Sequence, residues 1–366
     1  MKRILLTGGG SGGHIYPLLA VAEKLQGNDL RYFGPRDAWS AYMLQAGIPV
    51  SGIAKAKLRR YFSILNAIDG IKFTYSILQA LVKVAVFRPH VAFSKGGPGV
   101  LPVLLACHLY GVPIIIHESD SVAGLTSRVT GKWAKIVEVA WNEARVFFPN
   151  KEVHRVGIPM RSALMENKES AHDAKTAMAC EPDGLPVLLV IGGSQGSERI
   201  NNFVLENLLA LLTKFQIIHQ TGSVNYESHM QLYEAAKSAL TMELRNRYHP
   251  YAYLENKMGT AYRAADCALS RSGSALFELA AFGIPGVLVP LPEAAHDHQR
   301  ANAYAYAKTG AAVVIEQENF LSAIVIAELE KIMQPEMHAK MSKAAVMFAP
   351  QDAAQRIAED VQSATK

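Results

Sequence analysis

The 366-residue chain has little cysteine: Cys107, Cys180 and Cys267 stand far apart, with no CxxC pair among them. That spacing offers neither a zinc-ligand set nor a disulfide framework, and it suits a reducing compartment. Strong charge of either sign is also missing. A formal net charge of +5 is too weak to mark a nucleic-acid binder, so none is expected, though it suits anionic lipid or phosphate-bearing ligands. Only Ile4 to Thr7 separate Lys2-Arg3 from the first glycines, too short a run for the apolar core of an export signal. The most apolar stretch, Gly99 to Ile116, is broken by Pro102, His108, Gly111 and Pro113. It reads as a buried helix followed by a buried strand, not as a membrane span.

What is present is a core-rich α/β chain. Half of the residues are hydrophobic, and the length exceeds the roughly 100–200 residues usual for one domain. Candidate strands at Arg3–Thr7, Leu30–Phe33, His90–Phe93, Pro113–His117 and Lys135–Val139 alternate with stretches long enough for crossover helices. The rhythm restarts at Pro186–Ile191, Gln216–His219, Cys267–Ser270, Gly286–Val289 and Ala312–Ile315. Two Rossmann-like parallel-sheet units are expected, divided near Gly157 where a last strand runs into a Gly/Pro connector.

Each half opens as strand, glycine turn, helix. The first turn, Gly8-Gly9-Gly10-Ser11-Gly12-Gly13, satisfies G-x-G-x-x-G, yet Leu30–Phe33 runs into Gly34-Pro35 without the acid that a dinucleotide ribose requires. His14 follows the turn and opens a helix, which places one titratable group beside backbone that a substrate can approach. The second turn, Gly192 to Ser197, offers amides, a helix dipole and the Ser194 hydroxyl to a phosphate. A third cluster, Arg271 to Glu278, has amides for a diphosphate around Ala275 and Leu276, with Glu278 one turn into the helix for ribose hydroxyls or for capping. Beyond it lie His296, His298, Gln299 and Asn302, polar groups that suit a sugar; two histidines without a third ligand do not make a metal site. Lys55-Ala56-Lys57-Leu58-Arg59-Arg60-Tyr61-Phe62 sets cations beside aromatics, and Ile64 to Phe87 continues with apolar residues. Such a surface can dock on anionic lipid without anchoring in it.

Taken in order, several motifs resemble the MurG family of UDP-N-acetylglucosamine transferases over nearly the whole chain. They are Gly9-Gly10-Ser11-Gly12-Gly13-His14 with Pro17, Leu58–Phe62, His117-Glu118, Gly157-Ile158-Pro159-Met160-Arg161, Gly192–Gly196, Arg271-Ser272-Gly273 with Glu278, and His298-Gln299 with Asn302. The resemblance implies two Rossmann-like domains facing across a cleft, the GT-B glycosyltransferase architecture. Residues 1–158 form the acceptor and membrane side, completed by a C-terminal helix at about 345–366, and residues 159–344 bind the UDP-sugar. It further implies an inverting transfer of GlcNAc from UDP-GlcNAc to a lipid-linked MurNAc-pentapeptide at the cytoplasmic face of a bacterial membrane, as a peripheral enzyme without cofactor or metal.

By the same resemblance His14 is the base. The donor contacts are Ser11, Gly12, Gly13, Asp120, Arg161, Ser194, Leu254, Ala275, Leu276, Glu278, His298 and Gln299, with uracil against Tyr253-Leu254. The glycine loops of the first half would cradle the acceptor diphosphate. Arg59, Arg60, Tyr61, Phe62, His117 and Glu118 fall on the acceptor and membrane side. The family's HEQN stands here as His117-Glu118-Ser119-Asp120, and its GGY as Gly96-Gly97-Pro98. Competing readings are a glycolipid synthase acting on diacylglycerol, a UDP-GlcNAc 2-epimerase and, least supported, an NAD-dependent dehydrogenase.

Overall fold

The computed structural model describes residues 1–54, 65–97, 99–166, 168–193, 195–293 and 297–365, and of 65–68 the helical backbone alone. The chain forms two compact units, Met1–Ser162 with Gln351–Lys366, and Ala163–Pro350.

In the first unit seven strands form one sheet: β1 (Arg3–Thr7), β2 (Asp29–Gly34), β3 (Val50–Gly52), β4 (Val91–Ser94), β5 (Ile114–Glu118), β6 (Ile136–Val139) and β7 (Glu152–Arg155). Their order is β3-β2-β1-β4-β5-β6-β7, and every pairing is parallel. A parallel sheet is covered on both faces, which explains why its central strands are apolar throughout rather than alternating. From β1, Ile4 and Leu6 join Ile15 and Leu18 on one face. Leu5 points the other way, to Val84, Val103 and Leu104. The Ala353–Ser363 helix belongs to the first face, where Ile357, Ala358 and Val361 are buried, and Asp360 lies 2.6 Å from His154 Nδ1. Ala345 lies earlier, in the Pro335–Phe348 helix of the second unit.

The second unit repeats the plan with six strands: β8 (Val187–Ile191), β9 (Gln216–Gln220), β10 (Tyr248–Tyr251), β11 (Cys267–Ser270), β12 (Gly286–Leu288) and β13 (Ala312–Val314). They run parallel in the order β10-β9-β8-β11-β12-β13. Leu188 and Val190 pack with Ile200, Phe203 and Leu212. Val187, Leu189 and Ile191 pack with Ala261 and Leu279 on the opposite face.

In both sheets the chain leaves the first-formed strand in two directions, so a switch point opens between β1 and β4 and another between β8 and β11. Loops at the carboxyl ends of strands flanking a switch point diverge, leaving a crevice where ligands bind. The Gly99–Ile116 stretch is the Leu101–Leu109 helix and strand β5, both largely buried. Among the described residues, one helix is long and apolar enough to cross a membrane by length and composition, and it lies elsewhere, at Asp69–Phe87.

Candidate active site

At the first switch point the β1 loop enters the Gly12–Lys24 helix, with Ser11 as its N-cap in extended backbone. The helix starts two residues before His14, so Pro17 stands deeper than its first turn and withholds the N–H that Gly13 O would otherwise accept. Ser11 Oγ lies 3.0 Å from His14 Nδ1. When Nδ1–H donates to that hydroxyl, Nε2 keeps its lone pair. The loop after β4 closes over the imidazole. A Cβ on Gly97, whose φ is +96°, would collide with Gly9 O and stand 3.2 Å from His14 Nε2, so glycine is required there by space and by backbone. Burial, then the charge of Lys95, pushes the His14 pKa down to about 3.

Lys95 is a residue that the sequence did not single out. It is 3% exposed at the end of β4 and donates from Nζ to Ser119 Oγ. Burial lowers its pKa to about 8, against the opposing charges of Glu118, Asp120 and Glu138. Asp120 is half-buried at the end of β5, within this charge cluster. No sequence period marks a lysine as interior; only the sheet brings it beside the histidine.

His117 and Glu118, expected on the acceptor side, are the last two residues of β5. They are 1% and 5% exposed. His117 Nε2 donates to Gly157 O at 2.7 Å, fastening the interdomain connector. Glu118 accepts from Asp120 N at 2.9 Å and Gly124 N at 3.1 Å, organising the turn after β5. Arg161 sits at the end of the connector, its guanidinium 4.2 Å from the Tyr16 ring centroid and its buried Nε without a hydrogen-bond partner among the described residues. Arg59, Arg60, Tyr61 and Phe62 lie outside the described residues, as do Ser194 and His296.

At the second switch point the β8 loop leads to the Glu198–Glu206 helix, capped by Ser197. A Cβ on Gly196, φ +79°, would collide with Thr221 O, so the loops after β8 and β9 pack backbone on backbone. Gln220 joins them to the next segment, donating to Gly193 O at 3.2 Å and accepting from Leu254 N at 3.0 Å. The Leu254 amide is therefore engaged within the protein, and its side chain is 2% exposed. Arg271 likewise turns inward, donating to Ser197 Oγ, Val289 O, Pro290 O and Gln317 Oε1. It fastens the ends of β8, β11 and β12 to one another.

The β11 loop enters the Ala275–Ala281 helix. Ala275 is half-buried, whereas the Leu276 side chain is fully buried and its N–H donates to Gly273 O at 3.2 Å. Among the described residues, its two chain neighbours aside, nothing lies within 4 Å of where a Gly273 Cβ would be. Glu278 is half-buried and accepts from the Tyr262 hydroxyl at 2.5 Å. Tyr262 was not legible as a site residue. Gln299, in the His298–Ala307 helix, accepts from Leu291 N through Oε1 at 3.1 Å, while its backbone carbonyl takes the Ser272 hydroxyl at 2.6 Å. His298 is half-buried one residue earlier, and Asn302 is 1% exposed, donating to Ser272 O. Thus Glu278, Ala275, Leu276, His298 and Gln299 all lie at the carboxyl edge of the second sheet. His14, Ser11, Gly12, Gly13 and Asp120 lie at that of the first. Among the described residues no three His, Cys, Asp or Glu side chains gather as metal ligands.

Two doubly wound domains, each with glycine-rich loops at its switch point, define the GT-B class of nucleotide-sugar enzymes. Residues 4–139 match the glycosyltransferase family 28 N-terminal domain and residues 187–357 its C-terminal domain, and the chain belongs to that family. It is 34% identical over 337 residues to the UDP-N-acetylglucosamine--N-acetylmuramyl-(pentapeptide) pyrophosphoryl-undecaprenol N-acetylglucosamine transferase of Clostridium kluyveri, covering 91% of each chain. Against the enzyme of that name from Clostridium tetani it is 32% identical over 339 residues, 91% of this chain and 90% of that one. The crystal structure of Acinetobacter baumannii MurG matches with TM-score 0.77 at 27% identity, over 99% of this chain and 100% of that one. The UDP-GlcNAc 2-epimerase from Neisseria meningitidis, at TM-score 0.70 and 14% identity, over 99% of this chain and 100% of that one, shares the fold.

Proposed function

We propose that this chain transfers N-acetylglucosamine from UDP-N-acetylglucosamine to the C4 hydroxyl of N-acetylmuramic acid in undecaprenyl-pyrophosphoryl-muramyl-pentapeptide, a step of peptidoglycan assembly, with inversion at the anomeric carbon. The observation that carries this reading is the single imidazole of His14, fixed by Ser11 between two glycine loops at the first switch point. An inverting displacement needs one base. The C4 oxygen attacks the anomeric carbon, its proton passes to His14 Nε2, and the bond to the UDP phosphate breaks with its electron pair leaving on UDP.

In this reading Glu278 accepts the ribose hydroxyls, and the helix starts at Ala275 and at the β8 loop, with Arg161, stabilise the departing diphosphate. Gln299 and His298 recognise the sugar. No resident metal or cofactor enters the step; transfer that persists after exhaustive chelation supports this, and loss restored by a divalent cation contradicts it.

Peripheral attachment to the cytoplasmic face of an anionic membrane is part of the same proposal. On the Leu65–Phe87 helix, Ile71, Tyr75, Leu78, Val82 and Val86 are exposed at helical spacing, an apolar stripe that a bilayer interface would cover. The function is tested by incubating the protein with labelled UDP-N-acetylglucosamine and purified lipid-linked muramyl-pentapeptide, with UDP-glucose and diacylglycerol in parallel. Label in the lipid product only with the first pair supports the reading. Equal use of diacylglycerol, or label released as free sugar, contradicts it.

A further inference from the structure

Beside the glycine loops of the first unit, a pocket of about 520 Å³ is lined by Pro35, Arg36, Gly52, Ile53, Ala54 and Lys83. Its floor is the carboxyl edge of the same sheet, where Gly34 of β2 pairs with Gly52 of β3. Both cations converge on Gly52. Lys83, from the Leu65–Phe87 helix, donates to Gly52 O. The Arg36 side chain lies flat across the glycine, with Cγ, Nε and Cδ 2.9, 3.0 and 3.1 Å from where a Cβ would stand. Any larger residue at position 52 would force the arginine side chain to shift.

Two like charges held together repel, and an arrangement of this kind is relieved by an anion. Burial and the Arg36 charge together hold the Lys83 pKa below its ordinary value. Among the described residues neither cation has an ion-pair partner. The adjacent carboxylate, Asp37, instead accepts from Trp39 N at 3.1 Å and Ser40 N at 3.0 Å. The guanidinium fork and the ammonium are suited to an oxyanion, a carboxylate or a phosphate, which arginine can bind through two parallel hydrogen bonds.

The pocket's position says whose anion it is. Pro35 stands 3.5 Å from the Cβ position of Gly9 and 3.4 Å from that of Gly99, so one proline forms a wall shared with the loops that enclose His14. We propose that the Arg36–Lys83 pocket is a subsite of the first unit for an anionic group of the glycosyl acceptor, next to but separate from the place where its hydroxyl meets His14. This rests on the reading that the first unit takes the acceptor. With the pyrophosphoryl group assigned to the glycine loops, the anion left over in a muramyl-pentapeptide acceptor is a peptide carboxylate.

The test is equilibrium binding of the purified lipid-linked acceptor to the full chain without donor, for the wild type, Arg36→Ala, Lys83→Met and the double variant. The same series is repeated with an acceptor whose peptide carboxylates have been converted to amides. Loss of one charge-assisted contact is expected to raise Kd about ten-fold, with UDP binding unchanged. If the amidated acceptor already binds weakly and is indifferent to the substitutions, the anion is the carboxylate. An equal effect on both acceptors keeps the site and assigns it to the phosphates. An unchanged Kd for both overturns the proposal. Transfer assayed in parallel separates the two levels: binding that responds to Arg36 without any transfer by the wild type would sink the transferase reading and leave the anion site standing.

Discussion

The hydroxyl of Tyr262, 1% exposed and stacked on Phe282, donates to Glu278 Oε2 at 2.5 Å. A carboxylate held in this way has one oxygen committed to the protein and a fixed plane in which to meet a vicinal diol. Tyr262→Phe removes that hold and leaves the carboxylate in place. It should raise the KM for the UDP-sugar by about three- to ten-fold, the worth of one hydrogen bond, with kcat little changed. Glu278→Ala should weaken UDP binding further. Isothermal titration with UDP checks both, and unaltered affinity in Glu278→Ala would remove this residue from the donor site.

His14→Ala should leave UDP binding nearly intact and slow transfer by about 10²–10⁴-fold, the usual contribution of a general base. Single-turnover measurements with saturating donor separate this loss from any change in binding. A rate equal to the wild type would assign the proton to another group.

The pH dependence follows from the His14 environment. Its pKa, pushed down from 6.5 to about 3, keeps the imidazole unprotonated and able to accept a proton throughout the neutral range. The rate should therefore show no acid limb near 6.5 from this base. Lys95→Met removes one of the two causes of the depression. The acid limb should then move upward, by less than half the distance to 6.5 because burial is the larger cause. A profile that is unchanged in Lys95→Met while activity persists would detach Lys95 from His14.

Much of this architecture was legible because glycine and apolar runs encode backbone position directly. Strands β1 and β11 lie at the residues expected for them, and the His14 loop was evident from its glycines. Strands β3 and β10 were missed. Both are edge strands, half-exposed and short, and β10 contains His249 and Pro250, so neither shows the continuous apolar run of a central strand. Tyr262 and Lys95 escaped for a different reason. Each meets its partner only through tertiary packing, and a tyrosine in a helix or a lysine after a strand carries no local mark of that. Arg271 shows the reverse: its motif is conspicuous, yet its guanidinium serves the protein's own carbonyls.

A second acid-sensitive element lies in the second unit. His219 Nε2 is 3.1 Å from Asn201 Oδ1, whose amide nitrogen donates to Thr221 O, so Nε2 carries the proton and Nδ1 accepts from Tyr248 OH at 2.8 Å. His229 Nε2 must then donate to Tyr248 at 2.5 Å, and its buried Nδ1 has no partner among the described residues. Burial lowers both histidines, His229 to about 4. The unfolded chain, with histidines near 6.5, binds these protons first. Stability is thus complete above that value and is lost as pH falls from 6.5 towards 4, by up to about 1.4 kcal/mol per pH unit for each histidine. Thermal melts of His229→Gln should show a shallower fall over this window; an identical slope would contradict the assignment.

Ile71→Glu together with Val82→Glu places charge in the exposed stripe of the Leu65–Phe87 helix, where both side chains are largely solvent-facing. Folding and UDP binding should be unaffected, while sedimentation with vesicles rich in anionic phospholipid should fall several-fold. Undiminished sedimentation would move the membrane contact elsewhere.

A direct displacement at the anomeric carbon underlies every step of the proposed transfer. The decisive measurement is the structure of the reaction product, made from α-linked UDP-N-acetylglucosamine and the lipid-linked muramyl-pentapeptide and read by NMR of the released disaccharide. The expected product carries a β-linked N-acetylglucosamine on the C4 oxygen of the muramic acid. An α linkage, attachment at another hydroxyl, or conversion of the donor with the acceptor left unmodified would contradict it.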